Sequence, residues 1–174
     1  KELSETVQSV NDSVTRMMGE MTRTQQGQMD ALGGQVNAFT AKECTCYYAK
    51  VIAEHLPRAM DLLCDMLLNA RVDEAEFEKE RGVILEEIAM CEDTPEDLVY
   101  DLLAEAYFGE HPLARPILGS HDQIASIGRE ALLTFKKKHY RPDNTVLAIA
   151  GQFDRTQFRD MAERLLGGWH AEGE

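Results

Sequence analysis

Residues 33–51 read GGQVNAFTAKECTCYYAKV, and this stretch decides the fold class of the chain. Gly33-Gly34 is typical of a turn. Two runs rich in β-branched and aromatic residues follow, Gln35–Thr40 and Cys44–Val51, with the polar break Ala41-Lys42-Glu43 between them. Short runs of this composition around a polar break predict a β-hairpin.

The sequence after the hairpin predicts several helices. Apolar residues recur at helical spacing over 56–70 and over 73–91, and Asp73 with Glu76 matches a capping box. Thr94-Pro95 predicts the start of a third helix, with Thr94 as its cap. Further helices are predicted over 122–127, 129–139 and 154–166, the last of them capped by Asp154.

A second strand region is predicted near the end of the chain. Thr145–Gly151 is nearly all apolar, which is typical of a strand buried on both faces. The order of elements is then helix, hairpin, several helices, strand and helix. This order predicts an α+β fold in which several helices pack against one mixed β-sheet.

Residues 1–28 differ in character from the rest of the chain. Apolar residues recur there at alternating steps of four and three, a heptad-like pattern that predicts an amphipathic helix. These residues are Leu3, Val7, Val10, Val14, Met17 and Met21. Two interpretations stay open, since the helix could pack on its own domain or pair with a second copy to form a homo-oligomer.

Charge and composition exclude some classes of partner. The formal net charge is −13, so we expect no binding to nucleic acid or to an anionic membrane. No apolar run approaches the roughly 20 residues that a membrane-spanning helix needs. Cys44, Cys46, Cys64 and Cys91 lack the spacing of a zinc site, and we interpret them as reduced thiols of a cytoplasmic protein.

Five segments, in order, resemble the zinc-binding domain of the pitrilysin/insulinase family of metallopeptidases, and above all the bacterial proteases similar to mitochondrial processing peptidase. They are Asp30–Thr40, the pattern Glu43-x-Thr45-x-Tyr47, Glu78–Ile88, Glu92–Asp97 and His111–Gly119. The resemblance implies a mixed sheet backed by helices, in domains that pair around a closed chamber. It also implies zinc-assisted hydrolysis of peptide bonds, in which a Glu acts as general base for a zinc-bound water.

The resemblance assigns candidate site residues. Glu87 matches the third zinc ligand of the family, and Glu80, two helical turns earlier, matches another characteristic acid of the catalytic site. Gly34, Asn37, Ala38 and Phe39 match the edge strand that binds substrate, to which an extended peptide adds through main-chain hydrogen bonds. Each assignment has an alternative. Glu80 and Glu87 could belong to the solvated face of an acid-rich helix, and residues 34–39 could form an ordinary edge strand.

The chain departs from the family at its start. The zinc motif H-x-x-E-H is expected some twenty residues before Gly33-Gly34, but residues 7–18 contain no His. We therefore predict an atypical helix over 1–28, followed over 29–174 by a partial peptidase domain that lacks its first strands. Three alternatives would explain the missing motif. The chain could be a degenerate relative, it could be shortened or altered, or its N-terminus could be misrepresented.

Three hypotheses about function follow. The first is a domain of a zinc metalloendopeptidase, inactive and unable to hold zinc tightly on its own, which acts on peptide or unfolded polypeptide with a second homologous domain or subunit. The second is a non-catalytic subunit of the same family that binds peptide or braces an active partner. The third is a helical oligomerisation module with an unrelated α+β body.

Overall fold

The structure is a computed structural model that describes residues 34–70 and 72–170. The helix predicted over 1–28 lies outside these residues. Two strands are present, β1 (Gln35–Thr40) and β2 (Thr45–Lys50). Six α-helices follow, which are α1 (Leu56–Asn69), α2 (Glu74–Asp93), α3 (Pro95–Phe108), α4 (His121–Ser126), α5 (Arg129–His139) and α6 (Arg155–Leu166). Short 3-10 turns cover Ala53–His55, Pro112–Ala114 and Pro142–Asn144.

The predicted hairpin is confirmed. The N–H of Ala41 donates to the carbonyl of Cys44 at 2.8 Å and closes the turn between β1 and β2. Along β1 the exposed side chains of Gln35, Asn37 and Phe39 alternate with more buried ones. This alternation is what a strand with one face on a core requires.

The chain divides into two compact units that interleave along the sequence. The first unit contains the described residues 39–46 and 72–135, and the second contains 34–38, 47–70 and 136–170. The core of the first unit is formed by Ile84 and Ile88 of α2 and Ile124 of α4, all fully or nearly fully buried.

The core of the second unit joins the base of the hairpin to α1. Val36 packs there with Ala59 and Met66, and the half-buried Tyr47 packs against this cluster. The hydroxyl of Tyr47 lies 3.0 Å from that of Tyr140. Lys136 donates to the carbonyl of Leu68 at 3.4 Å, and burial lowers the pKa of this lysine.

The ends of the helices test the predicted caps. Asp154 caps α6 as predicted, because its Oδ1 accepts from the N–H of Gln157 at 2.8 Å. The predicted caps at Asp73 and Thr94 are wrong in their chemistry, since both residues occupy the cap position without a side-chain cap bond. Thr94 instead donates its hydroxyl to the carbonyl of Met90 at 2.7 Å, in the preceding helix. Its side chain is therefore already engaged one turn earlier.

One capping box was missed. Ser120 accepts from the N–H of Gln123 at 3.4 Å, and the side chain of Gln123 accepts from the N–H of Ser120 at 3.1 Å. The S-x-x-Q pattern that signals this arrangement is present in the sequence at 120–123. The helix starts one residue earlier than predicted, at His121.

The predicted buried strand at Thr145–Gly151 is wrong for the described part of the chain. Thr145–Ala150 is assigned to no strand, and the side chain of Val146 is 90% exposed. The described residues form one sheet of two strands, so the mixed sheet is not seen among them. An apolar run becomes a strand only when a neighbouring strand takes its backbone hydrogen bonds, and composition does not reveal that neighbour.

The broader expectation of an α+β fold with several helices is confirmed, and helices dominate the described residues. None of the helices in the described ranges is both long and apolar enough to cross a membrane.

Substituting Ile84 by Ala should lower the free energy of unfolding by about 2–4 kcal/mol, because Ile84 is 0% exposed and the substitution leaves a cavity. Chemical denaturation measures this change. Val83→Ala is the control, since Val83 is 38% exposed on the same helix and should lose less than about 1 kcal/mol. Equal losses in the two variants would contradict this assignment of the core.

Candidate functional site

Helix α2 carries the acids that the sequence singles out. Its buried residues are Phe77, Glu80, Ile84 and Ile88, which follow one another at helical spacing along one face. The guanidinium of Arg81 lies 5.5 Å from the centroid of the Phe77 ring and donates to the carbonyl of Ile127 at 3.0 Å. The bond to Ile127 joins α2 to the segment between α4 and α5.

Glu80 and Glu87 both lie towards the buried side of α2. Glu80 is 5% exposed, and it is the buried charged side chain among the described residues. Glu87 is half-buried, and its Oε2 is shielded from solvent. Seven residues separate the two, which is about two turns or 10 Å along the axis. Because shielding a carboxylate from water is costly, a merely solvated acidic face does not describe this pair.

The neighbouring acids of α2 behave differently. Glu76, Glu78 and Glu86 are exposed, and the first two pair with Lys79 and Arg81. The helix therefore has an ordinary charged outer face as well as the two shielded carboxylates.

The candidate peptide-binding residues lie where the sequence places them, on β1 and just before it. Gly34 is buried, Ala38 is half-buried, and Asn37 and Phe39 are exposed. Since Ala41 is hydrogen-bonded to Cys44, alternation along an antiparallel pair points the N–H and C=O of Ala38 away from β2. The Oδ1 of Asn37 accepts from this N–H at 2.8 Å.

The candidate residues do not all belong to one unit. Glu80, Glu87 and Phe39 belong to the first unit, whereas Gly34, Asn37 and Ala38 belong to the second. Glu80 and Glu87 are brought together by their shared helix, and the others by their shared strand.

A cavity of about 490 Å³ in the first unit was not foreseen from the sequence. Ile88 and Cys91 of α2, Asp101 of α3, and His111 and Arg115 of the following loop contribute to its lining. Burial, and then the nearby Asp97 and Asp101, raise the pKa of the Cys91 thiol. Cys91 is therefore a protonated thiol at neutral pH rather than a reactive thiolate.

Hydrogen bonds within the loop over 111–119 hold its first residues in a 3-10 turn. His111 Nδ1 accepts from the N–H of Leu113 at 3.2 Å, and the carbonyl of His111 accepts from the N–H of Ala114 at 2.9 Å. His111 therefore shapes this turn.

The donor groups that the structure describes near Glu87 are too few for a zinc site. A catalytic zinc site needs three protein ligands. Among residues 34–70 and 72–170, no group of three His, Cys, Asp or Glu side chains could hold a metal ion. Glu87 therefore has the chemistry of a zinc ligand, but the described donors around it do not make a zinc site.

The chain belongs to the insulinase family of peptidases, family M16. The family model described as insulinase (peptidase family M16) matches residues 14–121, more than half of the chain. A second model, described as the peptidase M16 inactive domain, matches residues 126–173.

Similar proteins carry names that agree with this membership. An uncharacterized zinc protease of Bacillus subtilis, YmxG, is 45% identical over 145 residues, which cover 83% of this chain and 35% of that protein. An uncharacterized zinc protease of Streptomyces coelicolor, SCO5738, is 48% identical over 129 residues, covering 74% of this chain and 28% of that protein. The chain thus spans about a third of the length of these curated relatives.

Solved structures share the fold. An M16-like peptidase from Alicyclobacillus acidocaldarius is 31% identical, with a TM-score of 0.76 over 82% of this chain and 34% of that one. A protease from Helicobacter pylori has a TM-score of 0.87 over 95% of this chain and 41% of that one, and at 19% identity it supports the fold alone.

Proposed function

We propose that this chain is part of a zinc metalloendopeptidase and supplies two components of its active site. One is β1, along which an extended peptide binds. The other is the shielded acidic pair of α2, with Glu87 as a zinc ligand and Glu80 as a second acid of the catalytic site. The observation that carries the proposal is one buried acid, Glu80, and one half-buried acid, Glu87, on one helix in a member of the insulinase family.

The chain alone is proposed to be catalytically incomplete. H-x-x-E-H does not occur anywhere in the 174 residues, so the two imidazoles and the general base of the family motif are missing from the sequence. The residues present at α2 can hold a carboxylate in place for a metal. They cannot by themselves supply the base that removes a proton from water.

A second candidate function is a non-catalytic subunit that binds peptide. The same missing motif favours it, since β1 can bind a peptide through its backbone without any metal. Peptide binding is therefore common to both functions, whereas metal binding separates them.

The backbone of Ala38 gives the sharpest test of peptide binding. Ala38→Pro removes the N–H that points away from β2 without removing a bond of the β1–β2 pair. We expect the affinity for an eight-residue peptide of alternating apolar and polar side chains to fall about tenfold. The N–H of Ala38 donates to Asn37 Oδ1 in the free chain and would donate to the peptide in the complex, and proline removes it. Isothermal titration calorimetry measures this affinity.

Ala49→Pro is the matched control. Ala49 lies opposite Val36 in the pairing of the hairpin, so its N–H points away from β1 on the other edge of the sheet. The affinity of Ala49→Pro for the peptide should equal that of the unchanged chain. Equal weakening by both prolines would show that the peptide does not bind along β1.

Zinc titration of the chain alone tests whether it completes a zinc site, which the non-catalytic function excludes. We expect the full chain to bind zinc without a defined stoichiometry, and Glu87→Gln to leave the titration unchanged, because one carboxylate is too few ligands. Glu86→Gln, which alters an exposed acid beside it, is the control. Stoichiometric binding lost only in Glu87→Gln would show instead that the chain completes a zinc site.

The proposed partner is a second homologous domain or subunit. Support comes from α3, which has no buried residue although most of its side chains are apolar. Its exposed apolar residues are Val99, Tyr100, Leu102, Leu103, Tyr107 and Phe108. An apolar helix face of this kind is typical of a surface that another domain covers.

The alternative partner is a second copy joined through residues 1–28. Light scattering on the full chain and on a variant without these residues distinguishes the two. If the homologous-domain proposal holds, both forms have the mass of one chain. A dimer that becomes a monomer on deletion would favour the helix-mediated homo-oligomer.

A further inference from the structure

The turn of the hairpin contains a lysine that does not extend into solvent. The bond from Ala41 N–H to the Cys44 carbonyl leaves Lys42 and Glu43 at the tip. Glu43 is exposed there, whereas Lys42 is half-buried. Lysine side chains at turn tips are usually solvated, so the burial of Lys42 requires a specific contact.

That contact is with the loop after α3. The ammonium of Lys42 donates to the carbonyl of Leu113 at 3.0 Å and to the carbonyl of Arg115 at 2.8 Å. Both are charge-assisted hydrogen bonds, which are stronger than bonds between neutral groups. They join residues 71 and 73 positions apart in the sequence, within the first unit.

The loop is shaped so that these carbonyls are available. The N–H groups of Leu113, Ala114 and Arg115 are all used inside the turn, by His111 Nδ1 and by the carbonyls of His111 and Pro112. The N–H groups of the turn are therefore bonded within it, and Lys42 donates to two of its carbonyls.

Lys42 lies close in sequence to β1, and the loop that it contacts lines a cavity with a residue of α2. On one side, Lys42 follows two residues after the end of β1. On the other side, Arg115 and Ala114 line the cavity together with Ile88, which directly follows Glu87 on α2.

We propose that Lys42 is a positioning residue for peptide binding, which holds the end of β1 against the loop at 112–115 before a peptide arrives. A two-stranded hairpin is only marginally stable by itself, so its edge needs an external support to stay in place. A strand edge that is already ordered spares the binding step the entropy of ordering it. This inference rests on the proposed function, because it assumes that peptides bind along β1.

The test measures peptide affinity in Lys42→Met, which keeps the aliphatic stem and removes the donor. We expect the affinity for the same eight-residue peptide to fall about tenfold. Lys42→Arg should stay within about threefold of the unchanged chain, because a guanidinium can also donate to two carbonyls. Lys50→Met is the matched control, since Lys50 is exposed at the far end of the same hairpin, and its affinity should not change.

Hydrogen exchange separates positioning from general stabilisation. In Lys42→Met without peptide, the amides over 39–46 and 113–115 should exchange faster, whereas those of α6 should not change. The thermal midpoint should fall further than in Lys50→Met, because two charge-assisted bonds are lost, but exchange outside these two segments should match that of Lys50→Met. Should Lys42→Met fail to fold, Lys42→Gln retains a neutral donor and should give a smaller loss of affinity.

The outcomes distinguish this inference from the proposed function. If the unchanged chain binds the peptide and Lys42→Met binds it equally well, the positioning role is wrong and peptide binding stands. If exchange rises throughout the chain in Lys42→Met, the lysine is a general stabiliser and the proposal is also wrong. If the unchanged chain binds no peptide, the proposed function fails first and the role of Lys42 fails with it.

Discussion

The packing of Ile84 and Ile88 against Ile124 fixes how α2 is rotated, and the candidate site depends on that rotation. Successive residues of a helix are about 100° apart, so turning these isoleucines inwards also turns Glu80 and Glu87 towards the protein. A rotation of about 100° in one direction would turn Glu78 and Arg81 to the positions that Phe77 and Glu80 occupy. The apolar core thus decides which acids of an acid-rich helix are shielded from water.

The hairpin and the helices could be predicted because their signals are local. The period of apolar residues predicts helices such as α1 and α2, and the cap at Asp154 involves residues only three apart. The strand predicted over Thr145–Gly151 is absent, because a strand depends on a partner elsewhere in the chain. The cap predicted at Thr94 is absent for a related reason, since its hydroxyl could accept from an N–H of α3 or donate to the carbonyl of Met90, and the sequence does not rank these two partners.

The candidate site also has some features that a local motif predicts and others that depend on distant contacts. Resemblance to the family located Glu80, Glu87 and the strand at 34–39, because each lies in a short continuous motif. The cavity and the contact of Lys42 could not be found like this. They join α2, α3, a hairpin turn and a loop, and a lysine in a turn gives no sign of which distant carbonyls it reaches.

Two apolar surfaces of the chain, the outer face of α3 and the run at 145–150, are exposed in the described structure. Tyr107 is 79% exposed and Val146 is 90% exposed, although both lie in runs that resemble buried segments by composition. Isolated exposed apolar residues are ordinary, but a continuous run is costly in water. Continuous apolar surfaces of this kind are typical of surfaces that another segment or a partner covers.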